Sequence, residues 1–228
     1  MRTLKSQPAK GLHGELTVPG DKSISHRGIM LGAISEGTTT LTHFLTSADC
    51  LSTLAAFQQL GVSIEREGTT VTVHGVGLHG LKASKEPLDM GNSGTTTRLI
   101  MGLLAGQPFS TTLIGDASLS KRPMRRVSDP LAAMGADITT TDGHLPVTIS
   151  GEKLHAVDYQ LKVASAQVKS ALILAALQAD EPSTLTELLP TRDHTERMLT
   201  AFGGEITTAS DGLTITVQPQ PQLKGQSM

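Results

Sequence analysis

The chain has 228 residues, 38% of them hydrophobic, a formal net charge of -2 and one cysteine. That length can bury a sizeable core, and the near-neutral charge gives no diffuse basic field for nucleic acid or an anionic membrane, so any anion must be held by a local cluster. With no Trp, one Tyr and four Phe the core must be aliphatic and stacking on bases is disfavoured; Cys50 cannot close an internal disulfide, and no signal sequence or membrane-length apolar run is found, so the expected compartment is the cytoplasm.

In chain order, the first informative stretch is Gly20-Asp21-Lys22-Ser23-Ile24-Ser25-His26-Arg27, just past a Pro-Gly turn at the mouth of a helix. Asp21 or Ser23 can cap that helix, and Ser23 and Arg27, four apart, share a face on which Lys22 and the first N–H groups can meet one anion. Alone, Ser-x-x-x-Arg reads equally as an ordinary capped helix with solvated charges. A Walker-type phosphate loop fails on spacing: Gly14 lies one residue too far from Gly20, and Asp21 intervenes before Lys22.

Beyond this point one phrase occurs three times. The apolar segments Leu54–Gly61, Leu131–Gly135 and Leu199–Gly203 each read as a helix ending at a glycine cap, the caps recurring after 74 residues (61 to 135) and 68 residues (135 to 203). Each is followed by two strands joined at Gly68, Gly143 or Gly212. Each is preceded by another helix, carried by Ser25–Ile34, Thr95–Leu104 and Gln167–Ala176, and by a strand such as Thr38–Leu41, Thr111–Ile114 or Ser183–Leu188. The fold class is therefore α/β (α+β), three βαβαββ units at about 13–80, 81–152 and 153–228 packed as one lobe. The first helices of the units are apolar nearly all round and predict burial; a threefold arrangement would bring their N-termini, at Asp21-Lys22-Ser23, Gly91-Asn92-Ser93-Gly94-Thr95 and Ala164-Ser165-Ala166-Gln167, to one face where partial positive charge sums.

Five motifs stand in order: Val18–Arg27, Gly91–Arg98, Leu119–Met124, Ala164–Ala171 and Arg192–Glu196. Together they resemble the 5-enolpyruvylshikimate-3-phosphate synthase family, from about Leu12 to the end of the chain. The resemblance implies transfer of the enolpyruvyl group of phosphoenolpyruvate to the 5-hydroxyl of shikimate 3-phosphate, with release of phosphate. It also implies one lobe of an inside-out barrel, no metal or organic cofactor, and a monomer closing on its substrates. Carried over by motif, Lys22 would touch both substrates and serve as the catalytic cation. Ser23, Arg27, Ser165 and Gln167 would hold shikimate 3-phosphate, and Gly94, Arg122 and Gln167 phosphoenolpyruvate. Ala166 stands where many members have a second Ser, so one hydroxyl contact is absent. Lys121, Arg125 and Arg126 read as solvated charge. Arg192 faces the substrate phosphate or merely flanks a helix-capping Asp193. His26 and His194 receive no proton-transfer role.

The resemblance further implies that residues 1–12 form a strand pairing with a C-terminal lobe, that residues 13–228 form the N-terminal lobe, and that this lobe turns over little by itself. Two alternatives stay open. A sister enolpyruvyl transferase acting on a UDP-sugar would carry Asn after the lysine and a loop cysteine, whereas here Ser23 follows Lys22 and Cys50 reads as part of a buried helix start. A non-catalytic anion-binding module would have no need of Lys22, Arg27, Arg122 and Gln167 together.

Overall fold

The computed structural model describes residues 3–8 and 10–228. In the opening segment, residues 1, 2 and 9 lie outside the described residues; 3–8 and 10–21 carry no helix or strand, and Leu4, Leu12, Leu16 and Val18 are exposed.

Three units follow one another. The first comprises α1 (Lys22–Ala33), β1 (Glu36–Leu41), α2 (Ala48–Gln59), β2 (Ser63–Glu67) and β3 (Thr70–Val76). The second comprises β4 (Leu88–Asp89), α3 (Gly94–Leu104), β5 (Ser110–Ile114), a 3₁₀ turn at Leu119–Lys121, α4 (Arg125–Ala133), β6 (Asp137–Thr141) and β7 (His144–Ser150). The third comprises β8 (Asp158–Gln160), α5 (Ala166–Ala176), β9 (Ser183–Thr186), α6 (His194–Ala201), β10 (Ile206–Thr208) and β11 (Thr214–Val217). The punctuation follows backbone sterics: Gly61, Gly135 and Gly203 end α2, α4 and α6 at φ of 88°, 92° and 92°, where an L side chain is strained.

Each unit builds its own sheet, in the orders β1-β3-β2, β4-β5-β7-β6 and β8-β9-β11-β10. The opening strands β4 and β8 run parallel to β5 and β9, each pair being joined by a crossover through α3 or α5, and the remaining pairs are antiparallel. The first sheet reaches the same pattern differently. Its parallel edge beside β1 is taken by residues 223–228: the Glu36 amide donates to the Leu223 carbonyl and the Thr40 amide to the Gln226 carbonyl, both at 2.8 Å, and the Gly225 and Met228 amides donate back to the Glu36 and Thr40 carbonyls respectively. The far end of the chain thus supplies the opening strand of the first unit and satisfies an otherwise bare strand edge.

The sheets lie outside and the three first helices inside, and no ladder joins the sheets into a closed barrel among the described residues. Leu99 to Leu104 and Val168 to Ala176 are buried all round. Close helix contact explains Gly102: a Cβ there would fall 1.9 Å from the Ala171 carbonyl oxygen, so α3 and α5 touch backbone to backbone.

Candidate functional site

The starts of α1, α3 and α5 converge. Asp21, Ser93 and Ser165 cap them, accepting from the Ile24, Thr96 and Val168 amides. Side chains then bind the starts together. Gln167 on α5 donates through Nε2 to the Thr95 hydroxyl on α3 at 3.0 Å, and Arg27 on α1 donates through Nη2 to the Ser170 hydroxyl on α5 at 2.7 Å. Beneath them runs a buried chain, His26 to Thr53 at 2.6 Å, Thr53 to Thr96 at 2.7 Å and Thr96 to Ser93 at 2.6 Å, which joins α1, α2 and α3.

One wall is built around Arg27, which is 5% exposed. Its Nε donates to the Thr195 hydroxyl at 2.6 Å and its Nη1 to the Ser23 carbonyl at 3.1 Å, in addition to the Ser170 bond. Burial lowers its pKa to about 10, with Glu196 opposing that shift and Arg192 adding to it, so it stays cationic at neutral pH. Arg192 is exposed and donates to the Ser23 hydroxyl at 3.3 Å, while Asp193 stands at the start of α6 without a side-chain cap bond. Behind this wall, Lys169 is ion-paired to Glu187 at 2.8 Å and Glu196 at 2.6 Å, all three side chains being almost fully buried. Lys22 lies at the rim, half-exposed, its ammonium held by the Asp49 carboxylate on α2.

The facing wall gathers Gly94, Arg98, Arg122 and Gln167. Arg122 donates to the backbone and side-chain oxygens of Asn92, whose amide donates to Asp116 at 2.7 Å. The Asn92 amide and the Leu119 and Ser118 N–H groups hold the Asp116 carboxyl below the usual range. Arg98 donates through Nη1 to the Gln167 carbonyl at 2.7 Å. A Cβ on Gly94 would lie 3.0 Å from Arg122 Nη1 and 3.1 Å from Arg98 Nη1, so the absent side chain leaves room for two guanidinium tips.

The residues carried over by motif thus gather at one face: Lys22, Ser23 and Arg27 from the first unit, Gly94 and Arg122 from the second, Ser165 and Gln167 from the third. Lys121, Arg125 and Arg126 are exposed. His26 is buried with Nε2 unpartnered, and burial, reinforced by Lys22, pushes its pKa down to about 4, so it is neutral and structural. Cys50 is buried in α2, its thiol pushed up by desolvation. Sequence reasoning gave no role to Arg98, Asp49, Thr195 or the Lys169 cluster. For Arg98 a signal existed: it follows Gly94 by four residues, the spacing that relates Ser23 to Arg27. Among the described residues no group of three or more His, Cys, Asp or Glu stands together as a metal site.

Three βαβαββ units whose buried helices open onto paired walls of cations define a lobe of the enolpyruvyl transferase class. Within that class, the chain belongs to the EPSP synthase (3-phosphoshikimate 1-carboxyvinyltransferase) family, whose model matches residues 6–228. It is 67% identical over 228 residues to the 3-phosphoshikimate 1-carboxyvinyltransferase of Lactiplantibacillus plantarum, covering 100% of this chain and 53% of that protein. It is 55% identical to the protein of the same name from Oenococcus oeni, covering 100% of this chain and 52% of that one. The solved EPSP synthase from Acinetobacter baumannii superposes with a TM-score of 0.91 at 53% identity, over 94% of this chain and 49% of that structure. The chain spans about half the length of the curated relatives it matches.

Proposed function

We propose that this chain is the N-terminal, substrate-binding lobe of a 3-phosphoshikimate 1-carboxyvinyltransferase. In the parent reaction the 5-hydroxyl of shikimate 3-phosphate gives up its proton and its oxygen bonds to C2 of phosphoenolpyruvate as a proton adds to the methylene carbon. Phosphate then leaves C2 and a proton leaves the methyl carbon, restoring the double bond. The observation that carries this reading is the meeting of two cationic walls at three converging helix starts. Both substrates bear a phosphate and a carboxylate, and fixed guanidiniums orient such groups while balancing their charge.

On this reading Arg27, Ser23 and Ser165 hold shikimate 3-phosphate, Arg122 and the Gly94 backbone hold phosphoenolpyruvate, and Gln167 touches both. Lys22 leaves Asp49 to reach between the substrates. Asp49 is engaged by Lys22, and Glu187 and Glu196 by Lys169, which favours assigning proton transfer to the remaining half of the enzyme.

Calorimetric titration with shikimate 3-phosphate tests the reading. Saturable binding by the folded chain, lost in Lys22→Ala and Arg27→Ala, is expected; binding that survives both substitutions would move the ligand elsewhere. Mixing the chain with the complementary half should restore turnover, whereas a purely anion-binding module would stay inert.

A further inference from the structure

Arg98 is the one guanidinium in the site whose surroundings do not account for it. It is 8% exposed, its Nε is buried without any partner, and its Nη2 reaches only the Pro123 carbonyl at 3.4 Å. Among the described residues no carboxylate pairs with Arg98 or with Arg122. Desolvation, then the neighbouring cations Arg126 and Arg122, lower its pKa. A cation so placed contributes little to stability by itself, because burial without an opposing charge is unfavourable. Its one good bond is the 2.7 Å contact to Gln167 Oε1.

That bond has a consequence for recognition. A guanidinium only donates, so the Gln167 carbonyl must face it, and the amide has just one orientation that avoids setting N–H against N–H. One Gln167 N–H then goes to Thr95 Oγ1, at 3.0 Å. The second N–H is left over, and the Thr95 hydroxyl, having accepted, can turn its own proton outward. We propose that Arg98 is a positioning residue that fixes the polarity of Gln167, withholding its carbonyl and presenting its N–H to an oxyanion that has only acceptor oxygens. The inference rests on the anion-binding reading above and adds its selectivity: a phosphate ester dianion or sulfate is accepted, and an oxyanion bearing an O–H is disfavoured for want of the amide carbonyl.

The test compares wild type with Arg98→Lys, which still only donates, and Arg98→Gln, which allows the Gln167 amide to turn over. The first readout needs no ligand: water exchange of the Gln167 side-chain amide protons, assigned by their loss in Gln167→Met. These protons should exchange roughly tenfold faster in Arg98→Gln than in wild type, with Arg98→Lys close to wild type. The second is titration at about pH 8 with sulfate and with hydrogen phosphate, two dianions of which only the latter carries an O–H. Wild type and Arg98→Lys should prefer sulfate by roughly three- to tenfold, and Arg98→Gln should lose most of that preference. Unchanged Gln167 exchange in a folded Arg98→Gln chain, or a sulfate preference that survives it, overturns the positioning role. Absence of binding of either anion to wild type, with Gln167 exchange responding as expected, sinks the anion-binding reading and leaves Arg98 as the residue that orients Gln167.

Discussion

Arg27 and Arg98 are guanidiniums in helices that start at the same face, yet their surroundings are opposite. Arg27 donates to two hydroxyls and a carbonyl and lies within reach of the Glu196 charge, with the Lys169–Glu187–Glu196 cluster behind it. Arg98 has one amide, an orphan Nε and two like charges for neighbours. The difference teaches that one wall has its donors satisfied within the protein, with buried charges that sum to zero, while the other keeps donor capacity open, as the proposed anion site requires. On the proposed reading, preorganisation of the first wall lowers the ordering penalty of binding, and the deficit of the second provides the attraction.

The comparison is broken most severely at the rigid wall. Lys169→Met leaves Glu187 and Glu196 buried with only Arg27 to oppose two negative charges, and stability should fall by about 3–5 kcal/mol, read from urea unfolding. Adding Glu187→Gln to it, which leaves Glu196 balanced by Arg27, should recover most of the loss, because the uncompensated charge rather than the missing bond dominates. A loss below about 1 kcal/mol in the single variant would show that Arg27 does not depend on a balanced buried cluster.

The floor beneath both walls gives the next largest effect, through pH. The folded-state pKa of His26 is about 4 against an ordinary 6.5, so between those values the unfolded chain binds the proton that the folded chain refuses. Stability is therefore full above about 6.5, declines as pH falls through the window, and is lower by about 3 kcal/mol at its acid end from this group alone. His26→Gln should flatten that share of the pH profile while keeping a partner for Thr53. Identical acid limbs for wild type and variant would mean that His26 protonates freely and that the His26–Thr53–Thr96–Ser93 chain does not tie the walls together.

What was legible in the sequence followed local rules. The glycine caps at 61, 135 and 203, the hairpin glycines and the helix-starting motifs each announce themselves within a few residues, and so does the Lys22, Ser23 and Arg27 cluster, whereas Gly94, Arg122, Ser165 and Gln167 enter the candidate site only through the family resemblance of their motifs. Two things were not local. The strand beside β1 comes from residues 223–228, and nothing in that segment says which edge it completes. Arg98 closes the Gly91–Arg98 motif with no role of its own in the sequence; its meaning depends on Gln167, 69 residues away, meeting it across the α3–α5 contact that Gly102 permits.

The smallest effect on stability carries the finest test of how the walls differ. Gly94 opens α3 without a left-handed φ, so alanine suits its backbone, and the new Cβ would meet only the far ends of Arg122 and Arg98. If the second wall is adjustable, those tips give way and thermal stability changes by no more than about 0.5 kcal/mol, since lost chain entropy in the unfolded state offsets a slight crowding. On the proposed reading, sulfate affinity at that wall should nevertheless fall several-fold, because the displaced tips no longer converge, and affinity for shikimate 3-phosphate, assigned to the Arg27 wall, should stay within about twofold. A destabilisation well above 1 kcal/mol would instead mean that Arg98 and Arg122 are held as firmly as Arg27, so that both walls are rigid and the recess is shaped by packing rather than by the anion it awaits.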